Sequence, residues 1–145
     1  MRLAPLTLAL AATLLAAGCA SKKGFEKEGF AFGCPIGDAK ISSMEDLVKS
    51  KSAKEGRQPP DVEIEEMRCT TTGDLLKVDV VVYNDESDTE RLLYKFRWAD
   101  AEGMRAADEE SWKPLMLYGT SRQTISTVAP NGKVRDFKFI VMGQE

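Results

Sequence analysis

Three cysteines, two acidic runs and no histidine define the chemistry open to this chain. Without an imidazole, Ser-His-Asp and Cys-His nucleophiles and every histidine-ligated zinc or haem site are excluded. The run Asp85-Glu86-Ser87-Asp88-Thr89-Glu90 and the shorter Asp108-Glu109-Glu110 supply hard oxygens of the kind calcium takes. The first lacks the central glycine that bends an EF-hand loop, and a solvated loop accounts for either composition. Paired carboxylates hydrolyse glycans only when a cleft fixes their separation and raises one pKa, and neither run promises a cleft. Ser111 and Ser121 have no histidine to activate them, and pairing Ser121 with Lys133 matches no motif. The expectation is a chain that is not an enzyme, without catalytic residue, cofactor or metal.

The cysteines say more. Residues 1–18 carry one basic side chain, Arg2, and an uncharged Leu- and Ala-rich stretch from Leu6 to Ala17 that is too short to span a bilayer. This is the shape of a secretory signal peptide. It ends in Leu15-Ala16-Ala17-Gly18-Cys19, which resembles the bacterial lipobox. That resemblance implies cleavage after Gly18, a diacylglyceryl-modified Cys19 as the lipid anchor, and attachment to a membrane through that N-terminal lipid. Ala20 in place of Asp implies, by enterobacterial sorting, the outer membrane on its periplasmic side. Cys34 and Cys69 then remain in an oxidising compartment, where an even number invites a disulfide. A bridge would close a loop of roughly 36 residues and stabilise by about 3–4 kcal/mol in the chain-entropy model. Two buried thiols fit the same composition.

The elements that must position these residues are mostly strands. Residues 19–33 mix Lys, Glu, Gly and Phe without period and read as a flexible tether. Within residues 34–60, Ser42 with Glu45 three positions on, and Met44, Leu47, Val48 and Lys51 on one face, predict a short capped helix over 42–54. From Asp61 the period becomes two. Val62 and Ile64 lead toward Cys69 with a register slip expected near Glu65-Glu66, and residues 70–74 turn the chain. Leu76, Val78, Val80 and Val82 share one face; after a polar loop, Leu92, Tyr94, Phe96 and Trp98 repeat the alternation, and the two runs read as a core hairpin. Pro114 marks the run from Trp112 to Tyr118 as an edge strand. Asn131-Gly132, between residues 123–129 and 134–142, is the strongest short hairpin signal in the chain, and Phe137, Phe139 and Val141 form the buried row after it.

Six or seven short strands with no helical period after residue 61 close most naturally as a two-sheet antiparallel sandwich over residues 61–145. At 145 residues, 43% hydrophobic and 30% charged, the chain is one ordinary domain. With 20 basic against 23 acidic side chains and no basic block, nucleic acid is not an expected partner.

The stretches Leu92–Gly103, Ser111-Trp-Lys-Pro-Leu115, Thr127–Asn131 and Asp136-Phe137 resemble the YcfL family of bacterial envelope lipoproteins, over roughly residues 61–143. The resemblance implies an immunoglobulin-like antiparallel β-sandwich on a lipid anchor, brings no catalytic residue, and leaves residues 35–60 looking like an insertion. In enterobacteria the family's gene lies near that of a lipoprotein activator of a penicillin-binding protein, which implies cell-wall synthesis machinery as partner by association alone.

Trp112, Pro114 and Leu115 are the candidate partner-binding residues, because an exposed Trp is a frequent anchor at interfaces. The competing role for Trp112 is core or loop packing; Trp98, with Tyr94 and Phe96, belongs to the core. The leading expectation is a non-catalytic envelope module that docks a protein. The alternative is a carrier of a small envelope molecule, a glycan fragment or lipid, held between the sheets or beneath residues 35–60.

Overall fold

The computed structural model describes residues 29–37 and 41–144; the signal-like segment, Cys19 and most of the tether lie outside the described residues. Strands β1 (Phe30–Ala31) and β2 (Cys34–Pro35) pair as a small hairpin, so the stretch expected as tether ends in regular structure. Helix α1 (Met44–Lys51) follows. Its N-cap is Ser43, one residue beyond the expected Ser42: Asp46 N donates to Ser43 Oγ at 3.1 Å, while the Asp46 carboxylate accepts from Ser42 N and Oγ at 3.3 and 2.9 Å. These bonds, from Ser42 first and Ser43 second, hold the Asp46 carboxyl below the usual aspartate range. The helix stops at Lys51, short of residue 54, because Ser52 is already extended and its Oγ donates to Val48 O at 2.7 Å. The expected face forms: Leu47 is fully buried, Lys51 is buried, and Met44 and Val48 pack against the core.

The remaining strands are β3 (Ser52–Glu55), β4 (Glu63–Thr72), β5 (Leu75–Tyr83), β6 (Glu90–Ala99), β7 (Lys113–Leu117), β8 (Arg122–Val128) and β9 (Asp136–Gly143). They form two sheets, ordered β3-β9-β6-β7 and β4-β5-β8. Their inner rows share one core: Leu76, Val78, Val80 and Val82 from β5, Leu92, Phe96 and Trp98 from β6, Phe137, Phe139 and Val141 from β9. Phe96 is the hub, with ring centroids 5.2 Å from Phe139 and 5.3 Å from Trp98. Burying each such side chain contributes about 1.5–3 kcal/mol. The sandwich is the one the alternating pattern requires, and the slip in β4 falls between Ile64 and Glu66, where it is expected.

Two connections differ from expectation. β5 and β6 lie in different sheets, and so do β8 and β9, so neither pair is a hairpin; both loops cross the sandwich. At Asn131-Gly132 neither residue takes the positive φ that a type I′ turn needs. Asn131 Oδ1 instead accepts from Lys133 N at 2.9 Å and its Nδ2 donates to Ala106 O at 2.9 Å, fastening the crossover to the loop after β6. The sandwich also begins before residue 61: β3 runs parallel to β9, with Ser52 opposite Phe139 and Glu55 opposite Met142.

Cys34 and Cys69 are joined by a disulfide, with their α carbons 4.6 Å apart, which ties β2 to β4. The approach is close enough to need glycine: at Gly33, with φ of 76°, a Cβ would stand 2.0 Å from Cys69 O. Cys69 N donates to Phe32 O at 3.2 Å across the same contact.

Candidate interaction surface

β7 is an edge strand, bonded to β6 on one side and carrying Pro114 opposite Leu93. Alternation sends Leu115 and Leu117 into the core, 7% and 1% exposed. Leu115 is therefore a core residue and offers nothing to a partner. Pro114 and Met116 face outward, both exposed, and Tyr118 beyond the strand end is 65% exposed. Trp112 is half-buried. Register places these side chains in rows across the outer face of the sheet. Pro114 stands beside Leu93, which stands beside Met142; Lys95 stands beside Ile140, which stands beside Ala53. Ile140 is fully buried although it faces away from the core.

The segment leading into β7 is held down by two acids. Lys95, only 6% exposed, pairs with Glu109 and places its Nζ 4.5 Å from the centre of the Trp112 ring. That cation over an aromatic face fixes the indole against the sheet. Glu110 takes the place of a strand where β7 no longer reaches β6: it accepts from Phe96 N at 3.3 Å, Trp98 Nε1 at 2.9 Å and Lys113 Nζ at 2.9 Å. Burial pushes the Glu110 carboxyl up, but the bonds from Lys113, Trp98 and Phe96 outweigh it and hold the group below the ordinary glutamate range. Lys95, by hydrogen bond and charge, does the same to Glu109.

The other acidic run, residues 85–90, rides the crossover from β5 to β6 and enters β6 at Glu90. Beneath it the fully buried Asn84 binds both loops at this end: Nδ2 donates to Asp88 O at 2.7 Å, Leu117 O at 3.2 Å and Tyr118 O at 3.3 Å, and Oδ1 accepts from Glu86 N at 3.0 Å. Among the described residues no three acidic or cysteine side chains converge as a metal site. Asn84, Lys95 and Glu110 are structural keys that pattern reading passed over. Lys95 had a signal, a cation inside an otherwise aromatic strand; Glu110 had none, since its partners are fixed only by the fold. Cys19 lies outside the described residues.

Two solved structures are similar. A crystal structure of Campylobacter jejuni cj0090 matches with a TM-score of 0.56 at 14% identity, covering 65% of this chain and 98% of that one. A crystal structure of a DUF1425 family member from Shewanella sp. pv-4 matches with a TM-score of 0.55 at 24% identity, covering 64% and 87%. At such identities the likeness speaks for the fold. No curated protein matches. The family model described as protein of unknown function (DUF1425) matches residues 47–143, so the stretch from Leu47 to Pro60, expected as an insertion, falls inside the matched region. With that match across more than half its length, the chain belongs to the DUF1425 family.

Proposed function

We propose that this chain is a non-catalytic accessory lipoprotein of the bacterial envelope, anchored in the outer membrane through Cys19, that docks an envelope protein with the outer face of β7 and its neighbours. The observation that carries the docking is the apolar row on that face. Pro114, Met116 and Tyr118 are exposed, with half-buried Trp112, Leu93 and Met142 alongside them. A row of this kind at a sheet edge suits a partner that lays apolar side chains across the strands, with the clamped Trp112 as anchor. The YcfL resemblance supports the lipoprotein reading and directs the search toward cell-wall synthesis machinery. The space between the sheets is filled by Phe96, Phe139 and the valines of β5, which removes the ground for a ligand held there.

Photocrosslinkers placed at Met116 and Tyr118, and for control at Arg68 on the opposite sheet, test this in intact envelopes. The expected result is one protein adduct of defined mass from the β7 positions, absent from the Arg68 position and lost with Trp112→Ala. Identical adducts from both faces, or none, would overturn the docking surface. The anchor is tested separately by acyl labelling, which should disappear with Cys19→Ser.

A further inference from the structure

At the far end of the same sheet face the character changes from apolar to basic. Arg97 on β6 and Lys138 on β9 stand directly opposite each other in register, both exposed. Like charges at directly opposed positions destabilise a sheet unless something lies between them. They border an open hollow of about 570 Å³ lined also by the start of β9, the end of α1 and the loop carrying Arg105 and Glu109.

The charges around this hollow are unequally engaged. Two of its carboxylates are taken up: the partly buried Asp136 accepts from Lys51 Nζ at 2.6 Å and from Phe137 N at 2.7 Å, and the exposed Glu109 pairs with the buried Lys95. The cations are held by longer ion pairs. Arg97 reaches Glu55 at 3.7 Å, Arg105 donates its Nε to Ala107 O at 2.8 Å and reaches the fully exposed Asp108 at 3.6 Å, and Lys138 has no ion pair among the described residues. A hollow of this size fits a small molecule, and Ile36, Ala99 and Ala107 give it apolar wall between the charged groups.

We infer that this hollow binds a small molecule carrying an oxyanion, a carboxylate or phosphate, received by Arg97, Lys138 and Arg105. Arg97 offers a planar fork suited to two oxygens at once, Arg105, its Nε held by Ala107 O, its remaining N–H groups, and Lys138 a point charge. The oxyanion adds counter-charge to the opposed pair, of which Arg97 has only the 3.7 Å contact with Glu55 and Lys138 no ion pair among the described residues. The site stands independently of the apolar row, which lies on the other half of the face.

The test uses the full chain in phosphatidylcholine nanodiscs, following the backbone amide signals of residues 97–99 and 136–138. One arm titrates inorganic phosphate and succinate against chloride at matched ionic strength; another replaces part of the lipid with phosphatidylglycerol. Saturable shifts confined to these residues are expected, with affinity falling at least tenfold in the Arg97→Gln, Lys138→Gln double variant. Both side chains are exposed, so unchanged signals from Val80 and Phe139 verify that the variant is folded. Shifts from the soluble anions assign a free ligand, whereas shifts from phosphatidylglycerol alone assign a lipid headgroup. Chloride acting as well as phosphate, or the double variant binding like the parent, would overturn the site.

Discussion

Glu110 joins more separate parts of the structure than any other surface carboxylate described above: a backbone N–H of β6, the indole of Trp98 and the ammonium of Lys113 all converge on it. Its carboxyl sits below the ordinary glutamate range in the folded chain, so it contributes stability above the unfolded value, and that contribution is lost as pH falls through the lower, folded one. Glu110→Ala should therefore cost about 1–2 kcal/mol at neutral pH, allowing for its partial exposure. Denaturant melts of parent and variant from pH 7 downward should converge below the usual glutamate range. A gap that stays constant into acid would show that the carboxylate's charge contributes nothing. Glu109 titrates in the same direction through Lys95, and its neutralisation frees the cation beneath Trp112.

Among the elements, the β5–β6 crossover and the connection from β7 to β8 are fastened to each other. Asn84 binds carbonyls from both, and at Gly119 a Cβ would stand 2.0 Å from Ser87 O. Asn84→Ala leaves buried carbonyls without their donor and should cost about 2–3 kcal/mol. Gly119→Ala should force the loops apart, read as faster amide exchange at Thr120, whose N donates to Glu86 O at 2.9 Å; unchanged exchange would mean that the loops yield freely. The strands themselves were legible, because Leu76 to Val82 and Leu92 to Trp98 alternate with a period that only a half-buried strand satisfies. Their partners were not. Alternation fixes which face is buried and is silent on which strand lies alongside, and Asn131-Gly132 signals a hairpin only while its amide side chain is not engaged elsewhere. β3 was hidden for a related reason: Ser-Ala-Lys-Glu has no strand pattern of its own and is recruited by the exposed edge of β9.

For the whole molecule, the disulfide closes the largest loop the described structure holds covalently. Replacing Cys34 and Cys69 together by serine should lower stability by about 3–4 kcal/mol, measured by urea denaturation of the oxidised parent and the variant. A loss under about 1 kcal/mol would show that the hydrogen bonds around Phe32 and Gly33 hold the arm unaided. The candidate surfaces were legible only in part. Trp112 and Pro114 stood out by residue type, but Leu115 was misplaced because the inward and outward positions of β7 follow from its register on β6. The opposed Arg97 and Lys138 come from strands about forty residues apart, a separation that pattern reading along the chain does not span.

The position of the disulfide also decides how the fold carries a mechanical load. Any tension arriving along the chain from residues before Cys34 first meets β1 and β2, two residues each, which would peel open under little force. At Cys34 the load passes through a covalent bond into Cys69, well inside β4, whose ten residues pair with β5 along nearly their whole length. The weak hairpin therefore acts as slack, and the sandwich feels the pull through a long strand loaded in shear. Under the anchoring proposed above, motion of the membrane relative to a partner would be taken up in these first few residues, leaving the sheet faces undistorted.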